Sequence, residues 1–387
     1  MLLDTFYDGV EIHREEKIIY AKFLVPHRVL STCRVAGGLR EDIRYLYNHQ
    51  SCEPAGHMHK LTQTAIRDPE GYRKKISECY GLPAETCATL GTAANMNNAC
   101  IETRAFRDLS VTAVCTGGVE ANAGRAGDPA AVVETPEGFT RLQPAAAMPS
   151  PGTINTMIFI NKPLISGAMV RVIMTATEAK SAALQELAVN SRYSDGLATG
   201  TGTDQIAVAA VRSDEPPLTS AGKHAKLGEL IACSVLHAVK GTLALQNGLT
   251  PAGQCSAKIH LERFGLTRQK MIEIICRNLS ESRAELLCKN FSEIERDPVT
   301  VAAVAAMAHL KDKFSWGILP ITCWGEVMGT YAAQIACAVS GDYTRMAVYR
   351  RKLAPTQADK GNGVLVDLSC RALALGFADK WVEPMNL

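Results

Sequence analysis

A short glycine-rich loop, TGTGTD at residues 199–204, holds the side chains with the clearest chemical potential. Its two glycines let a ligand approach the backbone closely, while its threonines and its aspartate supply hydroxyl groups and a carboxylate. The loop is not a GxGxxG fingerprint, because Gln205 occupies the last position, and it lacks the GK[ST] of a P-loop. It is interpreted as a binding or catalytic loop, or alternatively as a turn held by its own threonine and aspartate hydrogen bonds. The residues assigned to it are Gly200, Thr201, Gly202, Thr203 and Asp204.

A second polar loop, TGGVEANAGRAGDP at residues 116–129, follows an apolar stretch that predicts a buried strand at 110–115. Loops at strand ends commonly bind ligands in α/β proteins, although a long surface turn is the alternative. Cys115, just before the loop, is interpreted as a buried core thiol, because no histidine lies nearby in sequence to activate it as a nucleophile. The loop residues assigned to ligand binding are Thr116, Gly117, Gly118, Glu120, Asn122, Arg125 and Asp128.

Glu178 ends the sequence Thr175-Ala-Thr-Glu, which fits a capping box with Thr175 at the N-cap and predicts a helix over 176–187. The alternative is a general base at the helix start, where the N-terminus stabilises an anion. This helix would span roughly 18 Å. A chain that doubles back over 190–198 would then return Asp204 beside Glu178. Two carboxylates held close together can divide into one base and one acid.

Amide side chains are concentrated in GTAANMNN, where Asn95, Asn97 and Asn98 follow one another closely. Amide groups donate hydrogen bonds to an oxyanion or to ligand carboxamides. Helix capping is the alternative interpretation of these three residues.

Basic and histidine side chains supply the remaining candidates. Lys223 and His224 open a long predicted helix. His57 and His59 form an HxH pair in a polar loop, but the spacing is not HExxH and loop histidines are commonly solvated. No metal site is therefore predicted.

Strands and helices alternate over roughly the first 211 residues and would position these side chains. The sequence predicts a hairpin over 10–25, strands over 28–34, 110–115, 152–161, 168–174 and 203–211, and helices over 68–80, from 83 onward and over 176–187. The strand at 152–161 carries apolar residues on both faces, so it is expected to be covered on both sides. Because some strands look hairpin-linked, the predicted fold class is α+β, or α/β, with a mixed β-sheet core.

From residue 223 onward the sequence predicts helices alone. Apolar residues recur at helical spacing from Leu227, and Asn247-Gly248 ends the first helix. Further helices are predicted over 256–263, 267–276, 281–291, 299–309, 324–339 and 363–376. The chain is divided into residues 1–248 and an all-helical C-terminal region, 249–387. This region is expected to act as a scaffold or dimerisation element, which leaves a homodimer open.

Composition excludes several classes of protein. The 387 residues include 41 basic and 39 acidic side chains, a net charge of +2 that argues against a general nucleic-acid binder. We identify no apolar run that approaches the roughly 18 residues of a membrane span, and the acidic N-terminus does not resemble a signal peptide. We therefore expect a cytoplasmic protein with no membrane partner. The 13 cysteines lack CxxC spacing and are expected to be mostly reduced core residues.

Several of these stretches occur together in the order of one family. The runs TGGVEANAGRAGDP, TATEAK, ATGTGTD and GKHAKLGE resemble the adenosylcobinamide amidohydrolases, the CbiZ family, over about residues 1–248 and most firmly over 91–240. The resemblance implies hydrolysis of the amide bond that joins aminopropanol to the corrin ring of adenosylcobinamide or its phosphate. The product would be adenosylcobyric acid, which re-enters cobalamin salvage. The substrate would be a cobalt-containing corrinoid, and no separate cofactor is expected.

Amide hydrolysis requires an activated water, an acid for the amine and oxyanion donors. We expect Asp204 or Glu178 to activate the water and His224 to donate the proton. Backbone N–H groups of the turn 200–203 and the amide of Asn98 would hold the oxyanion.

A covalent route would use Thr203 or Cys115 instead. Arg125 and Lys223 would hold an aminopropanol phosphate. Corrin carboxamides would meet Asn95, Asn97, Asn122 and Asn155. Two other classes stay open: a corrinoid-binding or chaperone protein without catalysis, and a phosphate-handling enzyme that uses the Gly/Thr loop as a nucleotide cradle.

Overall fold

A computed structural model describes residues 1–51, 60–136, 138–142, 152–355 and 361–380. The chain divides into two units, residues 1–250 and residues 251–387. In chain order the strands are β1 (Leu2–Phe6), β2 (Val10–Glu15), β3 (Ile18–Phe23), β4 (His27–Ser31), β5 (Gly38–Arg40), β6 (Tyr45–Gln50), β7 (Cys87–Thr92), β8 (Cys100–Phe106), β9 (Leu109–Gly117), β10 (Ala123–Gly124), β11 (Val132–Thr135), β12 (Gly138–Arg141), β13 (Ile154–Ile160), β14 (Gly200–Thr201) and β15 (Gln205–Val211). The helices of the first unit are α1 (Lys60–Arg67), α2 (Pro69–Cys79), α3 (Ser166–Glu186) and α4 (Lys226–Asn247).

Two mixed sheets form the first unit. The first sheet has the order β1-β2-β3-β6-β7, and the second has the order β5-β4-β15-β13-β9-β8. Each contains one parallel pair, β6 with β7 and β13 with β15, while the other neighbours are antiparallel. Helices lie between the members of each parallel pair in sequence, as parallel crossovers require. The predicted mixed-sheet core is therefore confirmed.

The two sheets pack face to face and are covered by helices on their outer faces. Between the sheets, Leu46 and Leu90 of the first sheet join the same apolar cluster as Met157 and Phe159 of the second. A second cluster joins the other face of the second sheet to α3 and α4, and a third joins the first sheet to α2. Every residue of β13 is buried, which confirms that this strand is covered on both sides.

The predicted strand over 168–174 and helix start at 176 are wrong. Helix α3 begins at Ser166 and passes through both segments. Its buried positions recur every three or four residues, which is the pattern of one helical face. Thr175 therefore lies inside the helix, where its hydroxyl donates to the carbonyl of Ala221 (2.9 Å), and the capping box with Glu178 does not form.

The helix predicted to start at Pro83 is also wrong. Only a short 3₁₀ turn, Ala84–Thr86, follows this proline, and the chain then enters β7. In contrast, the helix predicted over 68–80 is α2. Asp68 is its N-cap, accepting a hydrogen bond from the backbone N–H of Gly71 (2.9 Å), and Pro69 occupies its first turn.

The described part of the second unit contains helices and no strands, as predicted. Its helices are α5 (Pro251–Gln254), α6 (Ala257–Glu262), α7 (Arg268–Arg277), α8 (Glu281–Glu295), α9 (Pro298–Ser315), α10 (Trp324–Ser340), α11 (Met346–Lys352) and α12 (Asn362–Lys380). They enclose an apolar core of their own, which includes Val304, Met307, Trp324 and Phe377.

Helix α4 ends as the sequence predicted, at Gly248, whose φ of 65° places it in the left-handed region. Among the described residues it is the one helix with the length and apolarity to cross a membrane, which the sequence analysis overlooked. However, 56% of its most apolar window is buried inside the protein, and Ile231 and Val235 pack in the cluster beneath the second sheet. This burial is typical of a core helix.

Candidate functional site

The two loops that the sequence singled out meet at one edge of the second sheet. β13 and β15 begin at this edge, and β9, antiparallel to β13, ends there. We call residues 117–128, 152–153 and 190–204 together the loop edge. Backbone hydrogen bonds join its segments, from Gly118 N to Thr153 O (3.1 Å) and from Thr199 N to Gly124 O (2.8 Å), and β10 pairs with β14.

The Asp204 carboxylate accepts four hydrogen bonds at this edge. Oδ1 accepts from the backbone N–H of Ile154 (2.8 Å) and the hydroxyl of Thr201 (2.6 Å), and Oδ2 accepts from the backbone N–H of Thr201 (3.0 Å). The fourth donor is the ammonium group of Lys180 on α3, which forms an ion pair with Oδ2. The two side chains are only 13% and 15% exposed. Asp204 therefore fixes the Gly/Thr turn against both β13 and α3.

Gly200 is required by this arrangement. A Cβ atom at this position would lie 2.5 Å from Asp204 Oδ2 and 2.7 Å from Lys180 Nζ. Any larger residue would push the ion pair apart. By contrast, Gly202 is exposed and faces open space, with no neighbouring atom closer than 4.0 Å to such a Cβ.

Thr203 is the exposed threonine of the turn. Its Oγ1 donates to the carbonyl of Gly152 (3.0 Å) and lies 2.6 Å from Oγ1 of Thr153. Thr153 is almost fully buried, whereas Thr203 is exposed. A ligand at the loop edge would therefore meet Gly202 and Thr203 before the residues beneath them.

Beneath the turn, a buried network of amide groups joins the two sheets. The side-chain amide of Asn155 donates to Asn48 Oδ1 and to the carbonyl of Gly91 (both 2.9 Å), and Asn48 donates to the hydroxyl of Thr116 (2.6 Å). Gln205 completes the network. Its side-chain Oε1 accepts from the backbone N–H of Gly91 (2.9 Å), and its backbone N–H donates to Asn155 Oδ1 (3.2 Å). Asn48, Thr116 and Asn155 are each 1% exposed. The side chains of Thr116 and Asn155 are therefore inaccessible to a ligand in this structure. They support the loop edge from beneath through their hydrogen bonds.

The asparagine segment 95–98 contacts the end of α4. Gln246 Oε1 accepts from the backbone N–H of Asn95 (3.0 Å) and from the side-chain amide of Asn98 (2.9 Å). Asn95 Oδ1 accepts from the backbone N–H of Asn97 (2.9 Å), so Asn95 caps the short 3₁₀ turn that follows it. The capping interpretation holds for Asn95, while Asn97 remains exposed.

Helix α4 also anchors the start of the second loop. The hydroxyl of Thr242 accepts from the backbone N–H of Gly117 (3.0 Å), and Asn247 Oδ1 accepts from that of Val119 (3.1 Å). A Cβ atom at Gly117 would lie 3.0 Å from Thr242 Cγ2. Gly117 thus lets the chain pass close to the helix as it leaves β9, whereas a Cβ atom at Gly118 would make only an ordinary contact with Gln246 (3.7 Å).

Asn122 is a structural link within the loop edge. Its amide donates to the carbonyl of Gly152 (3.0 Å), and its Oδ1 accepts from the hydroxyl of Tyr193 (2.7 Å). The side chain is 5% exposed, so both of its polar atoms are already used inside the protein.

Asp128 closes the turn that contains Arg125. Its Oδ2 accepts from the backbone N–H of Arg125 (2.7 Å) and from the hydroxyl of Ser191 (2.6 Å). Burial raises the pKa of Asp128, but hydrogen bonds from Ser191, Ser194 and the backbone N–H of Arg125, together with the charge of Arg125, outweigh this effect and hold the pKa below its ordinary value. Arg125 and Glu120 are exposed around this turn and are available to a ligand.

The structure does not bring Glu178 and Asp204 together. Glu178 and Lys180 lie two residues apart on α3, about 200° around the helix axis, so they point to opposite sides. Lys180 contacts Asp204, whereas Glu178 forms an exposed ion pair with Lys223 (2.8 Å). His224 is exposed in the turn before α4, next to Lys223. The expected convergence of the two carboxylates fails because α3 starts ten residues earlier than the sequence suggested and Glu178 is far from its N-terminus.

Cys115 is fully buried in β9, as the sequence predicted. Its thiol donates to the hydroxyl of Thr156 (3.4 Å), and burial raises the pKa of the thiol to about 12. A protonated thiol without access to solvent is a poor nucleophile, so the covalent route through Cys115 loses its support.

Sequence analysis missed Lys180, Gln205, Asn48 and Tyr193. Only weak signals indicated two of them: Lys180 lies on a helix face of small residues, and Gln205 lies at the start of an apolar strand. Within the described residues no group of three or more His, Cys, Asp or Glu side chains could hold a metal ion. His57 and His59 lie outside the described residues.

A family of known proteins matches almost all of the first unit. The family model for adenosylcobinamide amidohydrolase (CbiZ) matches residues 3–251. An uncharacterised protein of Methanocaldococcus jannaschii is 33% identical over 237 residues, which span 60% of this chain and 88% of that protein. The family match includes every segment of the loop edge and ends where the helical unit begins.

Proposed function

Because the chain belongs to the CbiZ family of adenosylcobinamide amidohydrolases, we propose that it hydrolyses the amide bond between aminopropanol and the corrin ring. The substrate is adenosylcobinamide or its phosphate, and the product is adenosylcobyric acid for cobalamin salvage. The observation that carries this proposal is the family match over residues 3–251, which takes in the loop edge and all the residues that support it.

The loop edge offers groups suited to the negative charge that develops on an amide oxygen. Gly202 and Thr203 are exposed, and within the described residues the N–H of Gly202 has no hydrogen-bond partner. This N–H, together with the hydroxyl of Thr203 once it rotates away from the carbonyl of Gly152, is proposed to bind the oxyanion. Exposed Arg125 is proposed to contact the phosphate, and exposed Glu120 is proposed to accept hydrogen bonds from the carboxamide side chains of the corrin.

Asp204 and Lys180 are proposed to carry the proton. When the ammonium group of Lys180 moves away from Oδ2 of Asp204, a water molecule can donate a hydrogen bond to this oxygen in its place. Asp204 takes a proton from this water, the hydroxide adds to the amide carbon, and Lys180 protonates the departing nitrogen as the C–N bond breaks. The proton held by Asp204 then returns to Lys180, so the pair ends in its starting state. Lys180 replaces His224 in this role because His224 is beside Lys223, on the Glu178 side of α3.

A corrinoid-binding protein without catalysis is the second candidate. The observation that favours it is that all four hydrogen-bonding positions of Asp204 are filled by the protein itself. Such a protein would bind cobinamide and leave its mass unchanged.

The test is incubation of the purified full chain with adenosylcobinamide, and separately with its phosphate, without nucleotide. Liquid chromatography with mass spectrometry should detect adenosylcobyric acid and free aminopropanol or its phosphate. Lys240→Met is a matched control for changes at Lys180. Lys240, on α4, forms an ion pair with Glu186, which lies on the same helix as Lys180 but outside the loop edge. Binding without any product from either substrate would select the second candidate.

A further inference from the structure

Two cysteine thiols lie side by side in the second unit. Cys276 is in the last turn of α7 and Cys288 is in α8, and their Sγ atoms are 4.0 Å apart. Within the described residues, this is the one hydrogen bond that joins two thiols. The reaction proposed for the first unit uses neither of them, so the pair calls for an account of its own.

The packing of α7 against α8 holds these thiols together. Only residues 278–280 connect the two helices, and Ile275 and Leu287, which precede the cysteines, are each 1% exposed in one apolar core. Sulfur atoms that are 4.0 Å apart must approach by about 2 Å to reach the S–S bond length of about 2.0 Å. Rotation of the two side chains can provide this movement while the helices stay packed.

The two thiols differ in their access to solvent, which suits them to different roles. Cys288 is exposed, so a small oxidant can reach its sulfur atom. Cys276 is partly buried, and burial, together with Cys288 beside it, raises the pKa of its thiol above the ordinary value. Because the thiolate is the attacking species, Cys288 is suited to react first and Cys276 to react second, once a partner sulfur is held beside it.

We propose that Cys276 and Cys288 form a redox-sensitive modification site that is oxidised by low-molecular-weight disulfides such as oxidised glutathione. This proposal does not rest on the proposed function of the first unit. The Cys288 thiolate attacks one sulfur atom of the small disulfide, whose S–S bond breaks and releases one small thiol that takes up the proton lost by Cys288. Cys276 then gives up its proton and its thiolate attacks Cys288 Sγ, which breaks the mixed disulfide and releases the second small thiol. Two electrons thereby pass from the protein thiols to the small disulfide, and α7 becomes covalently joined to α8.

The test is incubation of the reduced full chain with excess oxidised glutathione, followed by alkylation of free thiols and peptide mass mapping without reduction. We expect one disulfide between Cys276 and Cys288, with no glutathione retained on either residue. In Cys276→Ser, glutathione should remain on Cys288, because no thiol is left to displace it. In Cys288→Ser, Cys276 should react at least about tenfold more slowly than Cys288 does in the native chain.

Cys323→Ser is the matched control within the same unit. The thiol of Cys323 is also partly buried, but it donates to the carbonyl of Pro320 (3.0 Å), so its loss should leave the disulfide unchanged.

Stability supplies a second readout. A cross-link between residues 276 and 288 restricts the unfolded chain, so oxidation should raise the urea midpoint of the second unit by about 1 M. The transition is followed by the fluorescence of Trp316 and Trp324, both in that unit. Dithiothreitol should reverse the shift, and Cys276→Ser and Cys288→Ser should show no shift with oxidised glutathione.

Three results would overturn the proposal. In the first, exposed Cys79 of α2 takes up glutathione while Cys276 and Cys288 stay reduced. In the second, glutathione remains on Cys288 of the native chain, which would show that Cys276 cannot displace it. In the third, the disulfide maps to other cysteines, such as Cys100 and Cys115, which pair across β8 and β9.

Discussion

Replacing Lys180 and Asp204, singly and together, separates a catalytic ion pair from one that only holds the turn. Lys180→Met keeps most of the length of the side chain and removes its charge. Asp204→Asn keeps the shape, but all four contacts of Asp204 come from donors, so its new NH₂ group must face a donor. The double variant leaves no unpaired charge behind.

The partial burial of the pair sets the size of the effect on stability. Exposed ion pairs contribute about 0–1 kcal/mol, while removing one partner of a buried pair costs about 3–5 kcal/mol. At 15% and 13% exposure, each single change should lower the free energy of unfolding of the first unit by about 2–3 kcal/mol. The double variant should recover part of this loss, because the remaining charge is no longer buried alone.

The tryptophans allow the two units to be followed separately. The three tryptophans of the chain, Trp316, Trp324 and Trp381, all lie after residue 250. In urea, their fluorescence reports the second unit, whereas far-UV circular dichroism reports both. The single variants should shift the part of the circular dichroism transition that belongs to the first unit. Lys240→Met breaks the more exposed ion pair with Glu186. It should change the free energy of unfolding obtained from either transition by no more than about 1 kcal/mol.

Turnover then decides between the two roles. If the pair moves the proton, all three variants should lose at least about 10²-fold in rate while still binding corrinoid. If the pair only holds the turn, turnover should recover in the double variant along with stability. Near-native turnover in the double variant would refute the proposed proton transfer.

Three further expectations follow from the same structure. Glu178→Gln should keep its rate of hydrolysis within a few-fold, because Glu178 pairs with Lys223 at the surface; a loss of about 10²-fold would return Glu178 to the mechanism. Cys115→Ala should likewise retain turnover, since the thiol is buried and protonated, and an inactive but folded variant would support covalent catalysis. Burial, with a smaller effect of Lys17, lowers the pKa of His49 to about 4 from its ordinary 6.5. Between these pH values the unfolded chain binds a proton that the folded chain does not, so the stability of the first unit should fall as the pH drops from 6.5 to 4. The loss should be at most about 3 kcal/mol from this residue. His49→Gln should reduce the slope of a urea midpoint plotted against pH, and an unchanged slope would contradict this origin.

Local patterns predicted the elements whose environment is simple. The two apolar faces of the segment 152–161 indicated a strand covered on both sides, and β13 is one. Six of the eight helices described in the second unit follow from apolar residues at helical spacing, with ends that differ by up to six residues, while α5 and α11 were not predicted. The sequence placed each polar loop next to a predicted strand, but the adjacency of the two loops arises in the structure because β9 and β15 both pair with β13.

The failures have one physical cause, which is that distant residues decide the local outcome. The segment 168–174 is apolar enough for a strand, yet it forms part of α3 because its buried positions match one helical face. Thr175 resembles an N-cap, but its hydroxyl is used by Ala221, 46 residues away. Lys180 acquires its role only when Asp204, 24 residues later, folds back against α3. Sequence spacing within one segment could not have indicated Ala221 as the partner of Thr175 or Asp204 as the partner of Lys180.

The measurement that tests the central claim most directly is the mass of the corrinoid after incubation with the full chain in water enriched with heavy oxygen. Hydrolysis places one oxygen atom from water in the new carboxyl group and leaves aminopropanol unlabelled. The account predicts adenosylcobyric acid that carries a single heavy oxygen atom, formed without nucleotide. Adenosylcobinamide and its phosphate that both keep their original masses, although the chain binds them, would contradict it.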